Sequence, residues 1–238
     1  MLATPLSRPG TATAAVSRAA ILEAAQVEEE SEVYELSLHH VGLRSMLGLS
    51  RCVRLRVLDL SFNCLRSIEG LEALSELREV RLYANEIAHV RGLGALPKLQ
   101  TLLLHDNRLT PEANPGGDGL IALSQLMTLR VDTNARLGSA GLAALRLDHL
   151  PSLTELDASS TRLTDASPLG NLRSSLIETL RLAHNELTVR YQLCLRDKVL
   201  AKNYLDSGSI ISKFTLVGEN AVTLKAMSMR RSRGTGRR

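Results

Sequence analysis

The sequence predicts an α/β protein built as a right-handed, arc-shaped solenoid, in which about seven short parallel strands line a concave sheet. Three observations carry that expectation. The stretch Leu55 to Leu77, LRVLDLSFNCLRSIEGLEALSEL, places Leu55, Leu58, Leu60, Leu65, Ile68, Leu71 and Leu74 around a single Asn63. The same arrangement restarts at Leu77 and again at Leu99, each time after 22 residues. Finally, 44% of the 238 residues are hydrophobic but only 3% are aromatic and Trp is absent, so the core has to be a stack of aliphatic side chains.

The elements follow in chain order. Residues 1–27 read as a flexible N-terminus ending in a short capping helix from about Ser17 to Val27. The first 22 residues contain no acid, two Arg and many Ala, Ser and Thr, so a cleaved transit peptide is a second reading of the same stretch. Residues 28–187 hold the repeats. The first, VYELSLHHVGL from Val33 to Leu43, has Val41 where the others have asparagine. Later repeats start at Leu55, Leu77, Leu99, Leu126, Leu153 and Ile177, with a ladder of asparagines at Asn63, Asn85, Asn107, Asn134 and Asn185, and Thr161 in the place of one. Extra residues fall in LTPEANPGGDGL and RLGSAGLAALRLDHL, beyond the strand, so the strand register is kept. On the convex side EGLEALSEL and RGLGALPKL are too short for more than a turn, and Gly70 sits where the chain must reverse. DGLIALSQL and SAGLAALRLDHL carry helical periodicity and are expected to form longer helices. Residues 188–215 read as a C-terminal cap and 216–238 as a basic, disordered tail.

The physics of the unit is short. Strand side chains alternate, so the fourth and sixth positions of a repeat, such as Leu58 and Leu60, point inward. One repeat cannot bury its own apolar face; stacking neighbours makes the core continuous. The asparagine amide carries two donors and an acceptor, which suit the backbone groups left over where the strand ends.

The pattern LxxLxLxxNxL is that of a leucine-rich repeat, and residues 28 to about 215 resemble the intracellular, 22-residue SDS22-like class. Tyr191, Leu193, Leu195, Val199, Leu200, Leu205 and Asp206 are similar to the cap that closes such arrays, usually Y-R-x-x-V-I-x-x-L-P-x-L-x-x-L-D-G, although Gln192 and Ser207 depart from it and Ala201 stands where proline is usual. The class includes regulators of protein phosphatase one, the A-prime subunit of a spliceosomal particle, an axonemal dynein light chain and many ciliary proteins. The resemblance therefore implies a non-enzymatic scaffold, cytoplasmic and associated with the cilium or flagellum cytoskeleton. A nuclear ribonucleoprotein subunit and a phosphatase regulator are the alternatives it leaves open.

Charge and chemistry narrow the reading further. The net charge of +4 is concentrated at the ends: residues 23–215 carry a net charge of −3, and the tail MRRSRGTGRR is rich in Arg. A direct nucleic-acid face on the array is disfavoured, because it needs clustered Lys and Arg; the tail itself suits an acidic partner. No run of about 18 apolar residues is present, so no membrane partner is expected. The cysteines Cys52, Cys64 and Cys194 have no CxxC spacing and fit a reduced protein. Six histidines raise the question of a metal. His39 and His105 share a column but lie three strands apart, about 14 Å, and His39 and His40, neighbours on a strand, should point to different sides, so no metal site is expected. The segment PGGDG, 115–119, lacks the GK[ST] of a phosphate loop. No cofactor and no catalytic constellation is expected.

What remains is the outward face of the strands. Val57, Asp59 and Phe62, then Arg81 and Tyr83, then Leu103 and His105, then Arg130 and Asp132 are the candidate partner-binding residues. Val57, Phe62, Tyr83 and Leu103 are apolar or aromatic where the core does not need them. Single exposed aliphatic residues are ordinary, but aromatic anchors beside Arg, ringed by charge, are the makeup of an interaction hot spot.

Overall fold

In the computed structural model of the chain, the residues described are 15–114, 120–165, 167–169, 172, 177–187, 213–216 and 222–225, the last two segments by backbone alone. Seven three-residue strands run parallel: β1 Glu35–Ser37, β2 Val57–Asp59, β3 Glu79–Arg81, β4 Thr101–Leu103, β5 Thr128–Arg130, β6 Glu155–Asp157 and β7 Thr179–Arg181. Their register aligns every repeat at the same position, so Leu36, Leu58, Val80, Leu102, Leu129, Leu156 and Leu180 form one inward row. A second row, Leu38, Leu60, Leu82, Leu104, Val131, Ala158 and Leu182, lies two residues on, and both rows are buried. Each fully buried leucine contributes about 1.5–3 kcal/mol before the chain's ordering entropy is counted.

The back of the solenoid is made by leucines three apart. Leu74 N–H donates to Leu71 O (2.9 Å) and Leu77 N–H to Leu74 O (3.1 Å); Leu93, Leu96 and Leu99 repeat the pattern. In the first repeat Cys52 takes the middle leucine's place, fully buried, and burial pushes its thiol up to about 11. DGLIALSQL does not form the expected helix. Leu123 N–H bonds to Leu120 O and Leu126 N–H to Leu123 O, both at 3.0 Å, so its leucines make the same tight turns as the shorter repeats. These turns bury Leu120, Leu123 and Leu126 completely, and core packing overrides the local periodicity. The expected helix in SAGLAALRLDHL does form, as α2 Gly138–Ala144 followed by a 3₁₀ turn Leu147–His149.

At the N-terminal end, α1 Arg18–Ala25 is capped by Ser17, whose Oγ accepts from Ala20 N–H (3.2 Å). Ile21 of α1 is fully buried and joins the core, and the chain before the helix is pinned by Val16 N–H to Leu47 O (2.8 Å). At the other end the expected cap, 188–215, falls almost wholly outside the described residues. The tail expected to be disordered carries order in part: β9 Val222–Lys225 pairs antiparallel with β7, and β8 Lys213–Leu216 pairs with β9. The hairpin completes a nine-stranded sheet and occupies the edge that β7 would otherwise leave open.

The turn after each strand has one geometry throughout. The residue before the asparagine position is left-handed in every repeat: His40, Phe62, Ala84, Asp106, Thr133, Ser160 and His184 have φ between 52° and 60°. Non-glycine residues there carry a cost of about 1–2 kcal/mol each, so the surroundings must hold them. Two sets of bonds do so. The left-handed residue's N–H donates to the carbonyl of the next repeat, as in Phe62 to Tyr83 O and Ala84 to His105 O, both 3.1 Å. The asparagine then turns inward. Asn85 Nδ2 donates to Leu60 O (3.0 Å) in the preceding repeat and to Leu82 O (3.1 Å) in its own, while Oδ1 accepts from Leu65 N–H (3.0 Å). Asn63, Asn107, Asn134 and Asn185 repeat this set. Thr161, whose shorter side chain donates only to Ala158 O within its own repeat, instead meets the next rung at Asn185 Oδ1. His39 and His40 belong to this turn and not to a strand, since β1 ends at Ser37 and His40 is left-handed.

Glycine is obligatory at one position on the opposite side. A Cβ on Gly92 (φ 88°) would sit 1.9 Å from Ile68 O, and one on Gly48 (φ 110°) 2.2 Å from Val16 O; Gly70 holds the same place between them. Gly92→Ala should lower stability by about 2 kcal/mol or more, read as a fall in the urea midpoint. Asn85→Ala, which strips a buried amide from four backbone partners, should cost about 3 kcal/mol. By contrast Thr133→Gly should raise stability by about 1 kcal/mol, because Thr133 is exposed and β-branched in a left-handed conformation.

Candidate functional site

The outward side of the sheet is organised in columns, because each strand residue sits beside its counterparts in the neighbouring repeats. Phe62, Tyr83 and His105 leave consecutive repeats at the strand ends and meet as a row of rings. Phe62 packs edge-to-face on Tyr83, with centroids 5.3 Å apart, and Tyr83 stacks flat on His105 at 4.5 Å and 9°. Phe62 is 52% exposed. Each such contact adds about 0.5–1.5 kcal/mol beyond simple burial, so the rings hold one another in place. Leu103 and Val57, half-buried, flank it on β4 and β2.

The charged candidates form ion pairs within a repeat and, at longer distance, between neighbouring strands. Arg81 Nε donates to Glu79 (2.7 Å) and its Nη1 lies 3.6 Å from Asp59. Arg130 grips Asp132 with two bonds of 3.0 Å and reaches Asp157 at 3.9 Å. Arg181 pairs with Glu155 and lies 3.8 Å from Asp157. The hydrogen bonds to Glu79 and Asp132 hold the Arg81 and Arg130 guanidinium groups above their ordinary value. The carboxylates lie deeper than the arginines: Asp132 and Asp157 are buried, and Asp59 is held by Ser61 N–H (3.0 Å) and Ser61 Oγ (2.6 Å). Asp132, expected on the outward face, is thus covered by Arg130, which presents its guanidinium to solvent in its place.

Sequence reasoning did not single out Glu155, Ala84 and Asp106. Glu155 and Asp106 follow from the column rule once the register is known. Ala84 has no chemical signature of its own, and its place between Phe62 and Asp106 gives it meaning. Asn114, also not anticipated, is buried in the insertion after Asn107 and donates to Ala144 O (3.0 Å), joining that insertion to α2. Among the described residues no group of three or more His, Cys, Asp or Glu is placed to hold a metal, and no helix is long and apolar enough to cross a membrane.

No protein-family model matches the chain, and no curated protein matches it in sequence. Among solved structures the chain is similar to internalin C2 of Listeria monocytogenes, with 22% identity, 71% of this chain and 84% of that one covered, and a TM-score of 0.50. It is similar also to the internalin inlF of the same organism, with 17% identity over 71% of this chain and 69% of that one, TM-score 0.37. A plant peptide hormone receptor, RGFR1 in complex with RGF2, matches with 23% identity over 64% of this chain and 24% of that one, TM-score 0.47. With the parallel sheet and the asparagine ladder, the internalin C2 match shows a leucine-rich-repeat solenoid.

His105 makes this face sensitive to pH. Its Nδ1 is buried without a hydrogen-bond partner among the described residues. Burial first, and then the nearby Arg130, hold its pKa below the ordinary value, against the opposing pull of Asp132, Asp106 and Asp157. A histidine whose folded pKa is depressed favours the native state while neutral. Its contribution is therefore full above about pH 6.5 and is lost as pH falls from there through the folded value. Urea midpoints measured between pH 7.5 and 5 should fall less for His105→Gln than for the wild type.

Proposed function

We propose that the chain is a non-enzymatic scaffold that binds a protein partner across the outward face of β2–β5. The observation that carries this reading is the row Phe62, Tyr83 and His105. These rings are pre-packed against one another, flanked by Leu103 and Val57, and placed on the side of the sheet that the core does not use. Rigid aromatic anchors lose little entropy on binding, and the arginines beside them offer directional donors. The charged groups are shared pairwise between neighbouring strands and do not converge on one point, which suits an extended contact surface.

The resemblance to ciliary and axonemal members makes a cytoskeletal partner the first choice, in the cytoplasm or cilium. The Arg-rich segment Arg230 to Arg238 adds a second contact for an acidic surface. Affinity purification of the tagged protein from its own cells, beside a Phe62→Ala/Tyr83→Ala variant of unchanged melting temperature, tests the reading. The wild type should recover one dominant protein that the variant loses. Recovery of the same proteins by both would place binding elsewhere on the molecule. The identity of the captured protein separates a cytoskeletal role from a ribonucleoprotein or phosphatase one.

A further inference from the structure

Phe62, Ala84 and Asp106 occupy the same position in three consecutive repeats, each one residue before a ladder asparagine. All three are left-handed, with φ of 56°, 53° and 52°, so their side chains leave the turn in the same sense. Adjacent strands lie about 4.8 Å apart, which sets Phe62 and Asp106 about 10 Å apart with only the Ala84 methyl between them. The result is a notch in the rim of the sheet. Its floor is Ala84, one wall is the exposed Phe62 ring, and the opposite wall is the Asp106 carboxylate; the stacked Tyr83 and His105 rings run alongside.

Among the described residues the Asp106 carboxylate of this notch forms no ion pair. On the sheet, Asp59, Glu79, Asp132, Glu155 and Asp157 each engage an arginine. Asp106 is exposed and has no ion-pair partner among the described residues. The nearest candidate along the chain, Arg108, is turned to Glu86 at 2.9 Å, where Arg66 also lies at 3.1 Å. An exposed aromatic ring and a carboxylate without an ion-pair partner among the described residues, set two repeats apart with alanine between, are the complement of a planar cation, which stacks on a ring while donating to a carboxylate.

Resting on the reading that this face binds a protein, we infer that the notch receives a cationic side chain of the partner, arginine in preference to lysine. That side chain would lie over Ala84 with its charge at Asp106 and its plane against Phe62. The partner is thus a protein whose docking segment presents an exposed basic residue beside an apolar one that reaches Tyr83 and Leu103.

The test uses random twelve-residue peptides displayed on phage and selected on the full-length protein, followed by affinity measurement of the selected synthetic peptides. Selected peptides should share an Arg or Lys at a fixed place. Asp106→Asn should weaken their binding about fivefold at low ionic strength, and exchange of the peptide's cation for Gln should do the same. The two losses should not add when combined. Ala84→Leu, which fills the notch, should weaken binding comparably while Asp106→Asn keeps the wild-type melting temperature. Binding that is lost in Tyr83→Ala but unchanged in Asp106→Asn overturns the notch and leaves the face standing. Binding unchanged in both variants overturns the notch and the face together.

Discussion

The asparagine amide that reaches from one repeat into the one before it is the interaction on which the rest of this structure depends. A parallel strand of three residues ends with backbone groups that no neighbouring strand can satisfy, and they end inside the protein. Asn85 answers four of those groups at once, three carbonyls and one N–H, drawn from two repeats. Because both repeats are tied to the same side chain, their spacing and register are set together. The left-handed residue before each asparagine is the conformational cost of aiming that side chain inward, and the bond from its own N–H to the next repeat helps to hold it. Where the amide is replaced by Thr161, the rung is completed by Asn185 from the following repeat.

The same repetition builds the outward face. Residues at equal positions become neighbours about 4.8 Å apart, so a substitution in one repeat is read beside those in the repeats flanking it. An aromatic residue at the strand end in two successive repeats, followed by histidine, becomes a stacked row. Acid and arginine at the fifth position in turn become a chain of ion pairs. Each pair in isolation would contribute little on an exposed surface, but here the carboxylates sink beneath the guanidinium groups and Asp157 is shared by Arg130 and Arg181. The side chains of this face are therefore held by contacts with one another.

Much of the fold and part of the site were legible in the residues. The inward rows, the asparagines and the seven strand positions follow from a pattern in which each residue type has one structural use. Val57, Phe62, Tyr83 and Leu103 were legible as apolar or aromatic residues on the side the core does not need, but the stacking of His105 on Tyr83 was not. Less legible were features whose residue types carry no fixed meaning. DGLIALSQL has the composition of a helix, and only the need to bury Leu120, Leu123 and Leu126 together makes it a series of turns. Asp132 looks exposed in the alternation, yet Arg130 at the end of β5 covers it. The strand Val222–Lys225 lies outside the repeat pattern, and only its pairing with β7 gives it a place in the sheet.

By itself, the sequence determined the repeat unit, its register and the identity of the buried side chains, because spacing along the chain is spacing around each turn of a solenoid. Only the tertiary structure decided which outward residues touch. Contacts such as Phe62 to Tyr83, Arg81 to Asp59 and the gap over Ala84 link residues some 20 to 45 positions apart, and their distances depend on strand pairing. The physical reason is that the inward positions are set by the period within a repeat, whereas contacts on the outward face form between repeats, where a side chain's neighbours come from other turns of the chain.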